Sequence, residues 1–512
     1  MLKRPLSPRA HPLDRFAIFA MAALGVVILV IILLGDHAAA RVRDCSWCDR
    51  KIGSENIAFM MTFTRPMDAA SVEGNLTITP PLPGKFSWAG RRMAYTLDVP
   101  APYGETFRIS LDQARDSFSA DESNSASFEA FESQFETRHR AFAYIGATGD
   151  EANRLVLNDL TQNTQKILTP ENLIVLGFEP YPLGDKILLS AVDAATYQQG
   201  NLAPQLYTVS TGIPVNPPRD DLAPQSGLTL PRLFKNSQPA PAGEMSLILD
   251  NQGYQNLKFD LSPDGETIVV QRVNQENPAD FGPWVIRNGQ PSPLETEPGG
   301  DFLITPDSTS LLLLQGEGTA IIPLDETDLA AGTEPLDFLP DYGRVFDLKS
   351  DGTAAAMVNF NQDDPEKRYT ESLFLVDNQG NEQQLMQVSG TIIDAQFSPT
   401  NQVLYVLASE VLPGENYVEQ PLLSAINLEQ ETITDLLLLP PQQNLTMSLS
   451  PDGIALLLNV TTLQADVPPS QESQQIWLLP LFQTTAERLT GSPVQNKPEQ
   501  LPLVGSMVAW LP

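Results

Sequence analysis

Leu261-Ser262-Pro263-Asp264-Gly265-Glu266-Thr267-Ile268-Val269-Val270 reads as a strand end, a tight turn and the start of a second strand. Pro263 pre-sets φ for the second residue of a turn, Asp264 can hydrogen-bond the turn backbone, and Gly265 supplies the positive φ that reverses the chain. Ser450-Pro451-Asp452-Gly453 repeats the turn identically. Thr305-Pro306-Asp307-Ser308, Lys349-Ser350-Asp351-Gly352 and Ser398-Pro399-Thr400-Asn401 are degraded copies, and residues 179–185, from Glu179-Pro180 to Asp185, read as an elongated one. Each copy is followed by an apolar run such as 268–270, 311–314, 403–407 or 454–460. Positions 263, 306, 350, 399 and 451 are 43, 44, 49 and 52 residues apart. A period of about 40–50 residues carrying four short strands is the signature of propeller blades. A β-sandwich with coincidental turns is the competing reading, and four near-regular intervals argue against it.

Apolar strand, Ser-Pro-Asp-Gly, apolar strand, then a third strand and a polar turn: this pattern resembles the TolB-like and WD-repeat-like β-propeller repeats of bacteria. The resemblance spans residues 140–512. It implies a fold and no single activity, because such propellers host many functions. Three strands at 142–145, 154–159 and 165–168 lack a first partner, and the chain ends on one isolated apolar strand, 507–512. Pairing of 508–511 with 142–145 would close the ring and leave no exposed edge. That count gives seven blades; six or eight are left open by the 83 residues between Pro180 and Pro263. Within that gap, 214–241 is Pro-rich and aperiodic, and reads as an insertion projecting from a blade, a candidate contact surface. A degenerate eighth blade using 228–234 and 246–249 is the alternative.

Ahead of the propeller the chain changes character. Residues 1–15 carry Lys3, Arg4, Arg9 and Arg15 against one acid, Asp14, and residues 16–35 are all apolar or Gly. At ~1.5 Å rise per residue this run spans a ~30 Å hydrocarbon core. The basic flank predicts a cytoplasmic N-terminus, a single-pass signal anchor at 16–35 and a juxtamembrane linker at 36–52. A cleaved signal peptide ending at Ala38-Ala39-Ala40 is the alternative, and it exports the same domain. Cys45 and Cys48, the only cysteines, lie just outside the expected membrane. Redox catalysis would want a thioredoxin-like unit and zinc would want four ligands, so a local or intermolecular disulfide is expected.

Residues 53–137 form a second unit. Ile57, Phe59, Met61 and Phe63 alternate, as do Met93, Tyr95, Leu97, Val99 and then Phe107, Ile109, Leu111, the period of strands with one buried face. About seven short strands suit a small sandwich. Phe63-Thr64-Arg65-Pro66-Met67-Asp68 resembles the opening of bacterial Ig-like domains of surface-layer and cell-envelope proteins. Tyr103-Gly104-Glu105-Thr106-Phe107-Arg108-Ile109 matches a later strand of that family, with Phe107 replacing its usual Tyr, and Phe135-Glu136-Thr137 matches the closing strand. The resemblance implies a spacer or adhesion module. Ser-, Asp- and Glu-rich 112–127 reads as a solvated loop, as does the charged run Asp363-Asp364-Pro365-Glu366-Lys367-Arg368.

Composition narrows the function. Acids outnumber bases 63 to 31, for a net charge of −32, which disfavours nucleic acid, whose binding rests on basic surface. The three histidines, His11, His37 and His139, all lie outside the propeller repeats, which also hold no cysteine. Ser-His-Asp, Cys-His and most zinc chemistry therefore have no residues to use there. No phosphate-cradling Gly loop, Gly-x-Ser-x-Gly or His-Glu-x-x-His pattern occurs. Carboxylate-pair chemistry needs only two acids and stays open. Trp284 and Trp477 sit in strand-like runs and read as core. The expectation is an all-β, membrane-anchored, extracytoplasmic binding scaffold with a protein partner on a propeller face. It is read as no enzyme, with no catalytic, cofactor or metal residue assigned. A propeller hydrolase or lyase acting on carbohydrate or peptide, and a glycan-binding adhesin, are the competitors.

Overall fold

The computed structural model describes residues 12–34, 39–117, 128–200, 202–215, 239–324, 335–362, 364–414, 417–442, 444–462 and 473–512. Its first element is the helix Pro12–Leu34, which contains the expected span apart from its last residue. Its apolar side chains from Phe16 to Ile28 stand exposed. By hydropathy, no helix among the described residues is long and apolar enough to cross a membrane.

Two four-stranded sheets then face each other. One orders Val42–Cys45, Ala58–Phe63, Arg92–Leu97 and Gly84–Ala89; the other orders Lys51–Ile52, Phe131–Thr137, Thr106–Leu111 and Leu76–Thr79. The linker expected at 36–52 is therefore corrected: 42–45 and 51–52 are sandwich strands, one paired antiparallel with Ala58–Phe63 and the other parallel with Phe131–Thr137. Eight strands result rather than seven. The alternating residues face inward as the period requires, with Phe59, Met61, Phe63, Met93, Ile109 and Leu111 fully buried. Ile57 does not follow, being half exposed just before its strand. Cys45 and Cys48 are bonded to each other with Cα atoms 5.5 Å apart. The short loop they close carries Trp47 into the core, where its ring centre lies 5.2 Å from that of Phe59 and 5.1 Å from that of Phe135.

Beyond Thr137 the chain builds blades. Five consecutive antiparallel sheets of four strands are followed by a seven-stranded sheet that joins both ends of the region. The long strand Glu499–Trp510 belongs to two blades. Its first half pairs outward with Ser473–Pro480, and its second half pairs Gly505 with Gly146 and Trp510 with Phe142. Among the described residues this makes seven four-stranded blades: blade 1 with strands within 141–167 and closed by 505–510 as its innermost member, blade 2 within 173–249, blade 3 within 254–293, blade 4 within 302–339, blade 5 within 344–388, blade 6 within 392–438 and blade 7 within 447–504. Blade 2 runs from Leu173–Pro180 to Met245–Leu249 and takes the latter as its outer strand, so no eighth blade exists among the described residues. The insertion leaves blade 2 between its third and fourth strands, and residues 216–238 of it lie outside the described residues.

The ring closes through its cores. Seven apolar clusters alternate with the blades. One joins Leu157 of blade 1 to Leu189 of blade 2, another joins Tyr405 of blade 6 to Leu456 of blade 7, and a third joins Leu457 of blade 7 to Phe142 of blade 1. A blade is covered on both faces, so its second strand reads as an unbroken apolar run. Val403–Val411 and Thr267–Asn274 are buried over seven and six successive residues. Each fully buried Leu, Ile or Val contributes about 1.5–3 kcal/mol relative to exposure.

The turns line one rim. In each copy the fourth residue donates its N–H to the first residue's carbonyl: Gly265 to Ser262 at 2.7 Å, Ser308 to Thr305 at 2.8 Å, Gly352 to Lys349 at 2.8 Å, Asn401 to Ser398 at 2.8 Å and Gly453 to Ser450 at 2.7 Å. Blade 2 makes the same bond from Gly184 to Tyr181, so its copy centres on Pro182 and not on Pro180. Ser308 and Asn401 hold φ of 62° and 58°, the left-handed region that glycine occupies elsewhere. The first hydroxyl and the Asp cap one another: Ser262 Oγ donates to Asp264 Oδ1 at 2.6 Å and accepts from Thr267 N at 2.9 Å. Neighbouring turns touch. A Cβ on Gly265 would stand 3.1 Å from Pro182 Cδ, and one on Gly453 would stand 2.9 Å from Pro399 Cδ.

The sandwich rests on this rim across the closure. Asp452, in the turn of blade 7, accepts from Tyr103 N at 2.8 Å, and Arg488 of blade 7 donates to the carbonyls of Pro100 and Asp452. Arg138 donates to Pro182 O of blade 2 at 2.9 Å and pairs with Glu55.

Candidate functional site: the central channel

A blade's innermost strand has a free edge, and its N–H groups there need partners. The repeat supplies them from the residue three before each turn proline, or three before Ser350 in the copy that lacks it. Glu179 Oε2 accepts from Leu261 N of the next blade at 3.0 Å, and Asp260 Oδ2 from Ile304 N at 2.6 Å. Asp347 Oδ2 accepts from Phe397 N at 2.7 Å, Gln396 Oε1 from Leu449 N at 2.9 Å and Ser448 Oγ from Trp510 N at 3.0 Å. Leu303 and Ala509 hold the same position without an acceptor. At Leu303 the link shifts two residues back, where Asp301 receives Arg344 Nε of the next blade at 3.1 Å and Lys258 of the preceding one. Beyond Ala509, Pro512 packs on the turn of blade 2, its carbonyl 3.2 Å from the Cβ position of Gly184.

These residues surround the axis. A cavity of about 610 Å³ is lined by Glu179, Asp347, Asp394, Gln396, Asn401 and Pro512, among others. Five acids (Glu179, Asp260, Asp301, Asp347, Asp394) face two bases (Lys258, Arg344). Burial dominates the titration of four of the acids. It lifts Asp347 to about 7, Asp260 to about 6 and Asp394 to about 6, and it raises Glu179, with the neighbouring Asp260 charge adding to the rise. Near neutral pH this ring holds protons that ordinary carboxyls have lost. Its oxygens are already engaged: Asp347 also accepts from Leu348 N at 2.8 Å, and Asp394 accepts from Ala395 N at 2.8 Å and Gln396 Nε2 at 2.9 Å. The arrangement can take up protons and attract cations.

A second cavity of about 380 Å³ opens where sandwich meets blade 1, lined by Lys51, His139, Asp159, Gln162 and Lys166 among others. His139 Nδ1 lies 2.6 Å from Asp159 Oδ2 and its Nε2 lies 3.0 Å from Lys51 Nζ. Burial raises the Asp159 carboxyl, but the His139 bond and the Gln162 and Thr161 amides outweigh it and hold the group below its usual range. Among the described residues no three His, Cys, Asp or Glu side chains form a metal-holding group.

The turn residues read from the sequence ring the mouth of this channel, where Pro399 and Pro451 line the cavity, and one of them, Asp452, instead binds the sandwich. The ring acids were not singled out. Their signal was available: a polar residue at a fixed offset from the repeated turn. Trp284 and Trp477 are partly buried; Trp284 meets Tyr254 edge to face with Arg272 over both rings, and Trp477 joins the core between blades 6 and 7. The charged loop forms an ion pair of Asp364 with Lys367 at 3.9 Å, and Asp363 lies outside the described residues.

No protein-family model matches the chain, and no curated protein sequence matches it. Solved structures do. TolB from Acinetobacter baumannii is 15% identical over 72% of this chain and 80% of its own, with a TM-score of 0.37. An oligogalacturonate lyase from Vibrio parahaemolyticus is 10% identical over 63% and 87%, at 0.42. Hydrazine synthase from Kuenenia stuttgartiensis is 15% identical over 65% and 86%, at 0.40. At such scores the likeness is general, and the propeller assignment rests on the strand order and the inter-blade cores.

Proposed function

We propose that the chain is a membrane-anchored scaffold of the bacterial cell envelope. A helix at 16–35 holds it, an Ig-like sandwich spaces it from the bilayer, and a TolB-like propeller outside the cytoplasm presents a face to a protein partner. One observation carries this reading. Four of the five channel acids are bonded to the backbone of the adjacent blade or its cations, so the chemically richest part of the propeller largely serves the ring itself. With the sandwich fixed on the turn rim, the opposite rim is left for a partner, and tethering raises the effective concentration for partners in the same membrane.

The test is crosslinking in intact cells, purification of the full-length protein and mass spectrometry of what accompanies it. A stoichiometric protein partner supports the scaffold; glycan fragments without protein would replace it with an adhesin. A second reading, a carbohydrate hydrolase or lyase, draws support from the channel cavity and from carboxyls titrating near 6 and 7, the range of a general acid. Hydrolysis of envelope polysaccharide by purified protein, lost in Asp394→Asn, would establish that reading instead.

A further inference from the structure

On the rim opposite the sandwich, the connections between the second and third strands of blades 5 and 6 put two tyrosines into water. Tyr369 is 84% exposed and Tyr417 75%, with Phe360 and Val418 partly exposed on the same connections. Tyr369 has φ of +73°, a conformation that costs a bulky residue about 1 kcal/mol or more. The loop enforces it: Thr370 N donates to Lys367 O at 2.9 Å, and Asn361 Nδ2 donates to Thr370 O at 3.1 Å and to Ser372 Oγ at 3.0 Å. Backbone strain and apolar exposure thus fall on one side chain, a combination that marks a recognition surface.

Two carboxylates accompany the rings. Glu371 and Glu419 begin the strands that follow these loops, and both Tyr417 Oη and Ser409 Oγ donate to Glu419. Glu371 accepts from Ile392 N of blade 6 at 2.7 Å, which brings the two blades' loops together. Its carboxyl is raised first by burial and then by the charge of Glu419, a like-charge repulsion that a cation would relieve. Among the described residues no Lys or Arg pairs with either one. The chain's own Arg368 already lies over the Tyr369 ring, its Cζ 5.6 Å from the centroid, so the ring is placed to receive a guanidinium.

We infer that this edge of blades 5 and 6 docks a basic segment of a partner protein, with an Arg or Lys cation between Glu371 and Glu419 and adjoining apolar side chains against Tyr369 and Tyr417. The inference deepens the scaffold reading and rests on it. Charge complementarity selects the occupant: two uncompensated carboxylates on a chain of net charge −32 repel acidic segments and leave neutral ones without a polar anchor.

The test is fluorescence anisotropy of a labelled hexapeptide alternating arginine with leucine, titrated with the full chain in mild detergent. Matched peptides carry glutamine or glutamate in place of arginine. The arginine peptide binds. E371Q/E419Q weakens it by about tenfold or more, as loss of a paired charge does. Y369S/Y417S weakens it comparably, and E295Q/E297Q, on an exposed loop between blades 3 and 4, leaves it unchanged. Equal binding of the glutamine peptide, equal loss in E295Q/E297Q or no loss in E371Q/E419Q overturns the inference. Self-association abolished by Y369S/Y417S also overturns it, making a second copy the occupant. A crosslinked partner whose footprint lies elsewhere sinks this docking edge and leaves the scaffold standing; peptide binding in a protein that recovers no partner sinks the scaffold alone.

Discussion

Replacing Asp347 by asparagine isolates the electrostatic character of the ring. In the folded protein this carboxyl titrates at about 7, raised by burial from the ordinary aspartate range near 4. Below pH ~4 folded and unfolded chains both hold the proton, and above ~7 neither does. Between those limits the folded state keeps a proton that the unfolded state releases, so this group's contribution to stability falls as pH rises through the window. The full shift corresponds to about 4 kcal/mol. The side chain keeps partial contact with channel water, which brings the working figure to ~2 kcal/mol. Asparagine cannot ionise, and its Oδ1 still accepts from Phe397 N. Its amide cannot also accept from Leu348 N, a loss of about 1 kcal/mol. The net expectation is that D347N matches the native protein at pH 5 and exceeds it by about 1 kcal/mol at pH 8, a rise of about 1–3 °C in apparent Tm. Thermal melts at fixed ionic strength from pH 5 to 8 measure it. Only the difference between the two proteins is read, because Asp260 and Asp394 titrate in the same interval. A D347N protein that is less stable at pH 8 than at pH 5, relative to native, would show that Asp347 works as a charge and refute the reasoning.

Removing residues 508–512 deletes the buried Val508, Trp510 and Leu511, costing about 5 kcal/mol or more, and near-UV circular dichroism should report loss of the propeller rather than of one blade. Gly453→Ala combines a φ of +71° with a 2.9 Å approach to Pro399, whereas Gly352→Ala meets only the strain of φ +69°, so the first should lower the melting temperature more. Arg488→Met breaks its bonds to Pro100 O and Asp452 O, and amide exchange at Tyr103 should accelerate while the blade cores stay protected.

The fold was legible because the turn repeats and its chemistry is local. Pro263, Asp264 and Gly265 need nothing from the rest of the chain to specify a reversal, and the isolated strand at the C-terminus had one place to go. Register within blade 2 was less legible: two prolines, Pro180 and Pro182, offer the same local signal, and the pairing of Pro180 with Ile187 in the blade's second strand leaves the turn to Pro182. The strands Val42–Cys45 and Lys51–Ile52 escaped because they are four and two residues long and gain their order from partners far along the chain. The ring acids escaped for a related reason. Alone, Glu179 or Asp347 is one acid among 63; what distinguishes it is the amide of another blade.

The sandwich contacts blade 7 through Asp452 and Arg488, blade 2 through Pro182 and blade 1 through His139, so it straddles blade 1, where the two ends of the ring are joined by strand pairing alone. That gives the molecule a load path. Tension applied at the N-terminal end would enter the sandwich and divide among three blades, shearing several bonds at once instead of peeling the first strand of blade 1 from its neighbour. The strap lies over the joint where a pulled ring would otherwise part.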